Sequence, residues 1–270
     1  MNASVRARLL FAAAAGLCWL AATTGCRRAS GGVEQREAVV IFAATSLRDV
    51  FARIGREFER RTPGVELRFN FAGTQELRTQ LEHGARADLF ASADQRHIDA
   101  LVEAKRVEAP VVFARNEPVI VVAPDGAERV RSFGDLGNAE RLVIGAPEVP
   151  IGRYTAQILD RAGRLLGPAF RRRVEARVVS RELNARQVLA KVRLGEAQAG
   201  IVYRTDARTT PELTIVTIPA EVNVLADYPV AVVQGSARGH LARAWIAFLL
   251  SSDGQRLLAG AGFLPPPRGR

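Results

Sequence analysis

The sequence predicts an α/β protein of two doubly wound lobes with a ligand cleft between them. From residue 38 onward, short apolar runs typical of strands alternate with amphipathic segments typical of helices. These units are too numerous for one compact sheet, and the 48% hydrophobic content of the 270 residues can supply two cores. We expect lobe 1 to comprise residues 38–117 and 229–270, and lobe 2 to comprise residues 118–228.

The first third of the chain sets the pattern. Residues 38–44 form a continuous apolar run, as a strand buried on both faces of a parallel sheet requires. Val50, Phe51, Ile54 and Phe58 then share one face of a helix. The further predicted strands in this part are 65–71 and 87–91, and the further helices begin near residues 77 and 98.

The remaining two thirds repeat the alternation. The predicted strands are 119–123, 142–146, 174–179, 200–203, 213–218 and 228–233. The predicted helices are 154–162, 185–194, 241–250 and 255–258. Because the cleft between two such lobes is a common ligand site, we expect binding there.

Charge and composition exclude several classes of function. The formal net charge is +10, but arginines spread along the whole chain provide almost all of it, and aromatic residues make up 6%. Nucleic-acid binding needs clustered phosphate contacts, so no nucleic-acid role is expected. The histidines at 83, 97 and 240 lack the spacing of metal ligands. Both cysteines, Cys18 and Cys26, lie in the first 30 residues, so the body has no disulfide framework.

The N-terminus predicts export. Residues 1–26 combine a short arginine-containing stretch, an apolar run too short for a membrane helix, and Gly25 before Cys26. The end of this segment resembles a bacterial lipoprotein cleavage site, with Thr23 where leucine is usual; an ordinary secretory signal is the alternative. Residues 27–37 are polar and predict a tether. We expect a periplasmic or cell-surface protein attached to the membrane by a lipid on Cys26.

Several predicted turns between a strand and the next helix carry hydroxyls or small residues. Ser46, the Gly73-Thr74 pair, Ile151 and Ala185 each stand where a helix is expected to begin. A helix start exposes unpaired N–H groups and a partial positive charge, so converging starts bind an anion without any charged side chain. For Ser46 the alternative is a structural role, because Ser46 and Asp49 resemble a capping box and most serines at such positions cap a helix.

Longer segments resemble the periplasmic molybdate-binding proteins, a family within the type II periplasmic binding protein fold. The resemblance extends over about residues 39–264. It is carried by the segments FAATSL (42–47), FAGT (71–74), GARADLFASAD (84–94), VPIGRY (149–154), GEAQAGIVY (195–203) and YPVAVV (228–233).

The resemblance implies a molybdate or tungstate ligand, bound as an oxyanion, with no cofactor, no cationic metal and no catalytic residue. It implies delivery to the permease and ATPase of an ABC transporter by a monomeric protein. Ser46 and Thr74 would donate from hydroxyl and backbone N–H, Ile151 and Ala185 from backbone N–H, and Tyr203 from its phenol. The chain departs from the family at Thr74, Ile151 and Ala185, where serine, alanine and valine are common.

Two alternatives and two structural expectations remain beside this hypothesis. A receptor for sulfate or another tetrahedral oxyanion could use the same fold. An exported enzyme with Ser46 as its nucleophile is less consistent with the sequence, which has no Gly-x-Ser-x-Gly motif and no evident histidine partner. Asp94 is expected to cap a helix, and Arg153 to point to solvent.

Overall fold

A computed structural model describes residues 36–267. The predicted signal segment, the lipidation site Cys26 and all but the end of the 27–37 tether lie outside the described residues. The described chain forms two mixed sheets with helices on their faces, which confirms the predicted α/β fold with two lobes.

The sheet of lobe 1 has the spatial order β2-β1-β3-β10-β4. Its strands are β1 (Glu37–Ala44), β2 (Val65–Ala72), β3 (Leu89–Ala91), β4 (Val111–Asn116) and β10 (Ala226–Val232). Strands β2, β1 and β3 are parallel, and Ala44 at the end of β1 stands opposite Ala72 at the end of β2. The carboxyl ends of these strands therefore share one edge of the sheet.

The sheet of lobe 2 repeats this arrangement in the order β7-β6-β8-β5-β9. Its strands are β5 (Pro118–Val122), β6 (Leu142–Gly145), β7 (Val178–Glu182), β8 (Ala199–Tyr203) and β9 (Thr214–Thr217). Strands β7, β6 and β8 are parallel, and β5 runs antiparallel to β8.

Helices follow most strands. In lobe 1 they are α1 (Arg48–Arg61), α2 (Thr74–Glu82), α3 (Gln95–Glu103), α8 (Gly239–Leu250) and α9 (Ser252–Gly260). In lobe 2 they are α4 (Pro150–Leu166), α5 (Pro168–Glu175), α6 (Ala185–Arg193) and α7 (Arg204–Ala207). Within residues 36–267 none of these helices combines the length and the apolar character needed to cross a bilayer.

The chain passes between the lobes twice. The strand that follows each crossing, β5 or β10, runs antiparallel to both of its neighbours in the sheet. The first crossing is at Glu117 between β4 and β5, and the second lies between β9 and β10. Strand β10 is antiparallel to both β3 and β4. It begins at Ala226, so the expected lobe boundary between residues 228 and 229 falls inside this strand.

Two of the differences from the sequence predictions concern strands. The predicted strand 174–179 is wrong at its start, because Val174 is fully buried in the last turn of α5 and the edge strand β7 begins only at Val178. A β-branched residue next to a helix end cannot be assigned by local pattern alone. Strand β4 is also present where no strand was predicted; its alternation is broken because Phe113 and Ala114 are both buried.

Aromatic packing anchors the core of lobe 1. The Trp245 ring is fully buried and meets Phe51 and Phe58 edge-on at centroid distances of 5.5 and 5.3 Å. These contacts fix α8 against α1, and thereby hold the start of α1 beside the carboxyl edge of the sheet. The two carboxyl edges, one from each lobe, border the cleft.

Candidate functional site

A cavity of about 20 Å³ lies in the cleft between the lobes. It is far smaller than the 300–1,000 Å³ of sites for drug-sized ligands and leaves room only for a small ligand. Its lining residues are all uncharged: Ala44, Thr45, Ser46, Ala72, Gly73, Thr74, Ala93, Val149, Pro150, Ile151, Asn184, Ala185 and Tyr203. All five residues predicted from the sequence are therefore brought together here.

The five residues share a topological position. Each lies at or just after the carboxyl end of one of the parallel strands, which are β1, β2, β6, β7 and β8 in chain order. A larger surface groove of about 580 Å³ lies at the opposite end of the first sheet, beside Val40 and Asp88, and none of the five residues lines it. Across residues 36–267 no group of three His, Cys, Asp or Glu side chains is arranged to hold a metal ion.

Three helix N-termini point their free N–H groups toward the cavity. In α4 the first turn-closing bond runs from the Arg153 N–H to the Val149 carbonyl, so the Ile151 N–H has no acceptor within its own helix. In α6 the Asn184 side chain caps the Gln187 N–H, which leaves the Ala185 N–H free in the same way. Together with the start of α2 at Thr74, these ends supply donors and partial positive charge.

The Ser46 side chain does not cap a helix. It lies in a short 3₁₀ turn, Thr45–Leu47, that precedes α1, and no side chain caps either element. The Ser46 Oγ instead lies 2.8 Å from the Oη of Tyr228, which is fully buried on β10. The structural alternative of a capping box is therefore wrong, and the hydroxyl stands at the cavity wall.

Thr74 presents its hydroxyl in a defined direction. The Ala93 N–H donates to the Thr74 Oγ1 at 3.2 Å, so the oxygen already accepts one hydrogen bond. The Thr74 residue is 2% exposed and lines the cavity. Its own hydroxyl hydrogen is thus available to an acceptor inside the cavity.

Tyr203 closes β8 with a phenol that lacks a partner within the described chain. Its ring is buried, and its Oη forms no hydrogen bond although it is shielded from solvent. A buried polar atom without a partner is costly, and because Tyr203 lines the cavity, an acceptor bound there would satisfy its phenol. Burial raises the pKa of Tyr203 well above its ordinary value, so the phenol stays protonated and can donate.

An ion pair joins the lobes beside the cavity. Arg153 on α4 donates from Nε and Nη2 to the Asp94 Oδ2 at 3.1 and 2.9 Å. The Asp94 carboxylate is fully buried and also caps α3 by accepting the His97 N–H, as predicted. The expectation that Arg153 points to solvent is wrong, because the unpaired charge of buried Asp94 draws the guanidinium across the cleft.

A second arginine bridges the lobes on the other side. Arg186, in the first turn of α6, pairs with Asp49 on α1 and lies 2.7 Å from the Oδ1 of Asp206 in its own lobe. Burial raises the pKa of Asp206 to about 6, although the Arg186 cation opposes this. Both arginines are held by carboxylates and leave the cavity wall itself uncharged.

Histidine adds a neutral contact between the lobes. The His97 Nε2 lies 3.0 Å from the carbonyl oxygen of Glu148, while its Nδ1 has no partner within residues 36–267. Burial lowers the pKa of His97, so the neutral ring with its proton on Nε2 donates to that carbonyl. His97 is committed to this contact and is not a partner for the Ser46 hydroxyl.

Residues 39–264 match the sequence profile of a family described as bacterial extracellular solute-binding protein. The chain belongs to that family. The match covers both lobes and the whole cavity wall, and it confirms the resemblance inferred from the sequence segments.

Similar proteins of this solute-binding family come from several bacteria. The molybdate-binding protein ModA of Mycobacterium tuberculosis is 37% identical over 255 residues, which cover 93% of this chain and 94% of the relative. The molybdate-binding protein ModA of Escherichia coli is 33% identical over 209 residues, with 73% and 77% of the two chains covered.

Solved structures agree on the fold. The substrate-binding domain of a putative molybdenum ABC transporter from Clostridium difficile has a TM-score of 0.65 at 26% identity, covering 84% of this chain and 98% of that one. The sulfate-binding protein SubI of Mycobacterium tuberculosis has a TM-score of 0.77 at 20% identity, covering 85% and 87%. Two-lobed solute-binding proteins thus share this architecture.

Some residues around the cavity were not assigned from the sequence. Asn116 and Tyr228 stand behind Ser46, and Arg153 and Arg186 join the lobes. Tyr228 belongs to one of the resembling segments, but no local signal places a residue of β10 beside one that follows β1. Only the order β1-β3-β10 in the sheet brings them together.

Proposed function

We propose that this solute-binding protein captures molybdate or tungstate outside the cytoplasm and delivers it to an ABC transporter. The observation that carries the proposal is the donor-only wall of the cavity. Ser46, Thr74 and Tyr203 offer hydroxyls, helix starts offer N–H groups, and no charged side chain lines the space. The relatives named molybdate-binding protein support the choice of anion.

A cavity wall that offers only hydrogen-bond donors selects anions that carry no proton. A fully deprotonated tetrahedral dianion is an acceptor on every oxygen, and each hydrogen bond to it contributes about 1.5–3 kcal/mol. Phosphate near neutral pH carries a proton that needs an acceptor, and the lining residues include no carboxylate to provide one. Sulfate satisfies the same protonation rule, and the structural likeness to a sulfate-binding protein makes a sulfate receptor the second candidate.

The protein is proposed to bind without chemical turnover. Ser46 faces the Tyr228 phenol at 2.8 Å, which provides no general base at neutral pH because burial keeps that phenol protonated. One more distant relative, 27% identical over 188 residues that cover 58% of this chain, is named aconitate isomerase. A turnover assay on aconitate therefore belongs with the binding tests.

The test is a calorimetric titration of the mature protein with molybdate, tungstate, sulfate and phosphate. We expect one-to-one binding of molybdate and tungstate, weaker sulfate and no phosphate. Tyr203→Phe removes one donor and should weaken molybdate binding about 10- to 150-fold. Tyr154→Phe is the matched control, since Tyr154 is buried nearby but does not line the cavity. Sulfate binding more tightly than molybdate would favour the second candidate, and no heat with any anion would refute both.

Location and partners complete the proposal. The protein is proposed to act as a monomer, attached to the membrane through a lipid on Cys26, next to a permease and an ATPase. Membership of an extracellular solute-binding family supports a site of action outside the cytoplasm. Metabolic labelling with a fatty-acid analogue tests the anchor: the wild-type chain should be labelled and Cys26→Ala should not.

A further inference from the structure

We infer that Tyr228, held by Asn116, is a positioning residue that orients the Ser46 hydroxyl hydrogen into the anion cavity. This inference rests on the proposed function and names a residue behind the cavity wall. Tyr228 is absent from the lining, since Ser46 stands between it and the cavity. Its effect on the anion must therefore pass through Ser46.

The orientation begins at the Asn116 side chain. Its Oδ1 accepts the N–H of Glu117 at 2.9 Å, which identifies the other amide atom as Nδ2. That Nδ2 donates to the Thr205 Oγ1 at 2.8 Å and, at a longer 3.4 Å, to the Tyr228 Oη. Asn116 is fully buried, so this amide has no water with which to exchange partners.

The direction then passes along the chain of hydroxyls. The Tyr228 Oη receives the Asn116 N–H, and among residues 36–267 the Ser46 Oγ at 2.8 Å is the one acceptor in reach of its own hydrogen, so the phenol donates to Ser46. Ser46 Oγ, having accepted that hydrogen, keeps its own for the cavity. Hydrogen bonds in such a series polarise one another, so each donor strengthens the next.

The surroundings hold the phenol in the donor state. Tyr228 is fully buried, with the Tyr203 ring 5.7 Å away and the Phe263 ring 5.4 Å away between centroids. Burial, and after it the negative charge of Asp206, raises the pKa of Tyr228 well above its ordinary value. The phenol cannot become an acceptor-only phenolate at physiological pH.

Thr74 has the same arrangement by a different route. There the Ala93 backbone N–H occupies the hydroxyl oxygen and frees the hydrogen. Ser46 has no backbone donor in this role among the described residues, and Tyr228 supplies the hydrogen instead. Two hydroxyls of the wall thus meet the anion as donors, which an acceptor-only ligand requires.

Asn116 gives this series a second property. It is the last residue of β4, directly before the first crossing between the lobes, and Tyr228 lies on β10, directly after the second. Its amide bonds Tyr228 in lobe 1 and Thr205 of α7 in lobe 2. The orientation of the Ser46 hydroxyl therefore depends on Asn116, which stands at the first crossing between the lobes and is hydrogen-bonded to Tyr228 near the second.

The experiment is a double-mutant cycle on molybdate affinity, measured by calorimetry, with Tyr228→Phe, Ser46→Ala and the double variant. Tyr228→Phe should weaken binding about three- to tenfold, and it should have no further effect in the Ser46→Ala background. Equal effects of Tyr228→Phe in both backgrounds, or unchanged affinity in the single variant, would overturn the inference. Tyr154→Phe again serves as the control. Wild-type protein that binds none of the four anions contradicts the proposed function itself, an outcome distinct from these.

A spectroscopic measurement covers the case in which Tyr228→Phe fails to fold. The chain has three tyrosines, so the Tyr154→Phe and Tyr203→Phe variant retains Tyr228 alone. The Raman doublet of a tyrosine ring reports whether its hydroxyl donates or accepts. The signature of a hydroxyl that both donates and accepts is expected for Tyr228, and a signature of acceptance alone would overturn the proposed direction.

Discussion

Gly152 controls how closely the start of α4 approaches β6. A Cβ at this position would lie 2.0 Å from the carbonyl oxygen of Ala146 and 2.5 Å from that of Gly145. Both obstacles are backbone atoms, so no side-chain rotation relieves them. Gly152→Ala must push the helix start away by about 1.4 Å to restore an ordinary contact of 3.4 Å.

This displacement affects stability and binding together. Overpacking of this kind costs about 1–3 kcal/mol, and the backbone contact favours the upper part of that range. For a chain of this size we expect Tm to fall by roughly 4–12 °C. The same shift moves the Ile151 N–H away from the anion, and the loss of one charge-assisted hydrogen bond weakens molybdate binding about 10- to 150-fold.

Gly163 in the same helix provides the matched control. Its added Cβ would have as its nearest neighbour the Arg171 Cβ at 3.9 Å, which is an ordinary contact. Gly163→Ala should therefore stabilise the protein by about 0.5–1 kcal/mol through helix propensity and leave molybdate affinity unchanged. Thermal denaturation and calorimetry on both variants give the comparison. If Gly152→Ala matches Gly163→Ala in Tm and affinity, the reasoning about this helix start is refuted.

Three further predictions test the contacts between the lobes. Gly73→Ala would place a Cβ 2.8 Å from the Leu183 carbonyl of the other lobe, so molybdate affinity should fall while Tm of the ligand-free protein stays near wild type; unchanged affinity would contradict this. Arg153→Gln leaves the Asp94 carboxylate without its cation and should weaken binding about 5- to 30-fold, a magnitude reduced because Arg153 is 29% exposed; calorimetry checks it. The pKa of Asp206 is raised from 3.8 to about 6 in the folded protein. As the pH rises, the unfolded chain loses this proton first, so the free energy of unfolding of the wild type falls between pH 4 and 6 by on the order of 2–3 kcal/mol. Urea denaturation of Asp206→Asn should lack that contribution, and parallel pH profiles of the two proteins would disprove it.

The sequence predicted the strands and helices best where the pattern of apolar residues was uninterrupted. Residues 38–44 formed an uninterrupted apolar run and became β1, while Phe51, Ile54 and Phe58 shared a face and became the buried side of α1. Strand β4 was missed because Phe113 and Ala114, on opposite faces of the sheet, are both buried. The strand therefore lacks the alternation of apolar and polar residues that marks a half-buried strand. The start of β7 was misplaced because a buried valine serves a helix end as well as a strand.

The cavity residues were predicted because their chemistry is local. A hydroxyl or a small residue after a strand and before a helix presents donors whatever the rest of the fold does, so the turns that contain Ser46, Thr74, Ile151 and Ala185 could be proposed one at a time. The family resemblance gave the donor atoms at these turns and added Tyr203. The structure then brought all five to the carboxyl edges of two sheets that face one cleft.

The sequence by itself determined the α/β alternation and the donor-bearing turns. The tertiary structure alone decided which distant groups stand behind those donors. Ser46 and Tyr228 are 182 positions apart, and Asp94 and Arg153 are 59 apart. No local period relates such residues, because their proximity arises from the strand order of one sheet and from the meeting of two lobes. That proximity sets the direction of the Ser46 hydroxyl and the pairing of charges beside an uncharged wall.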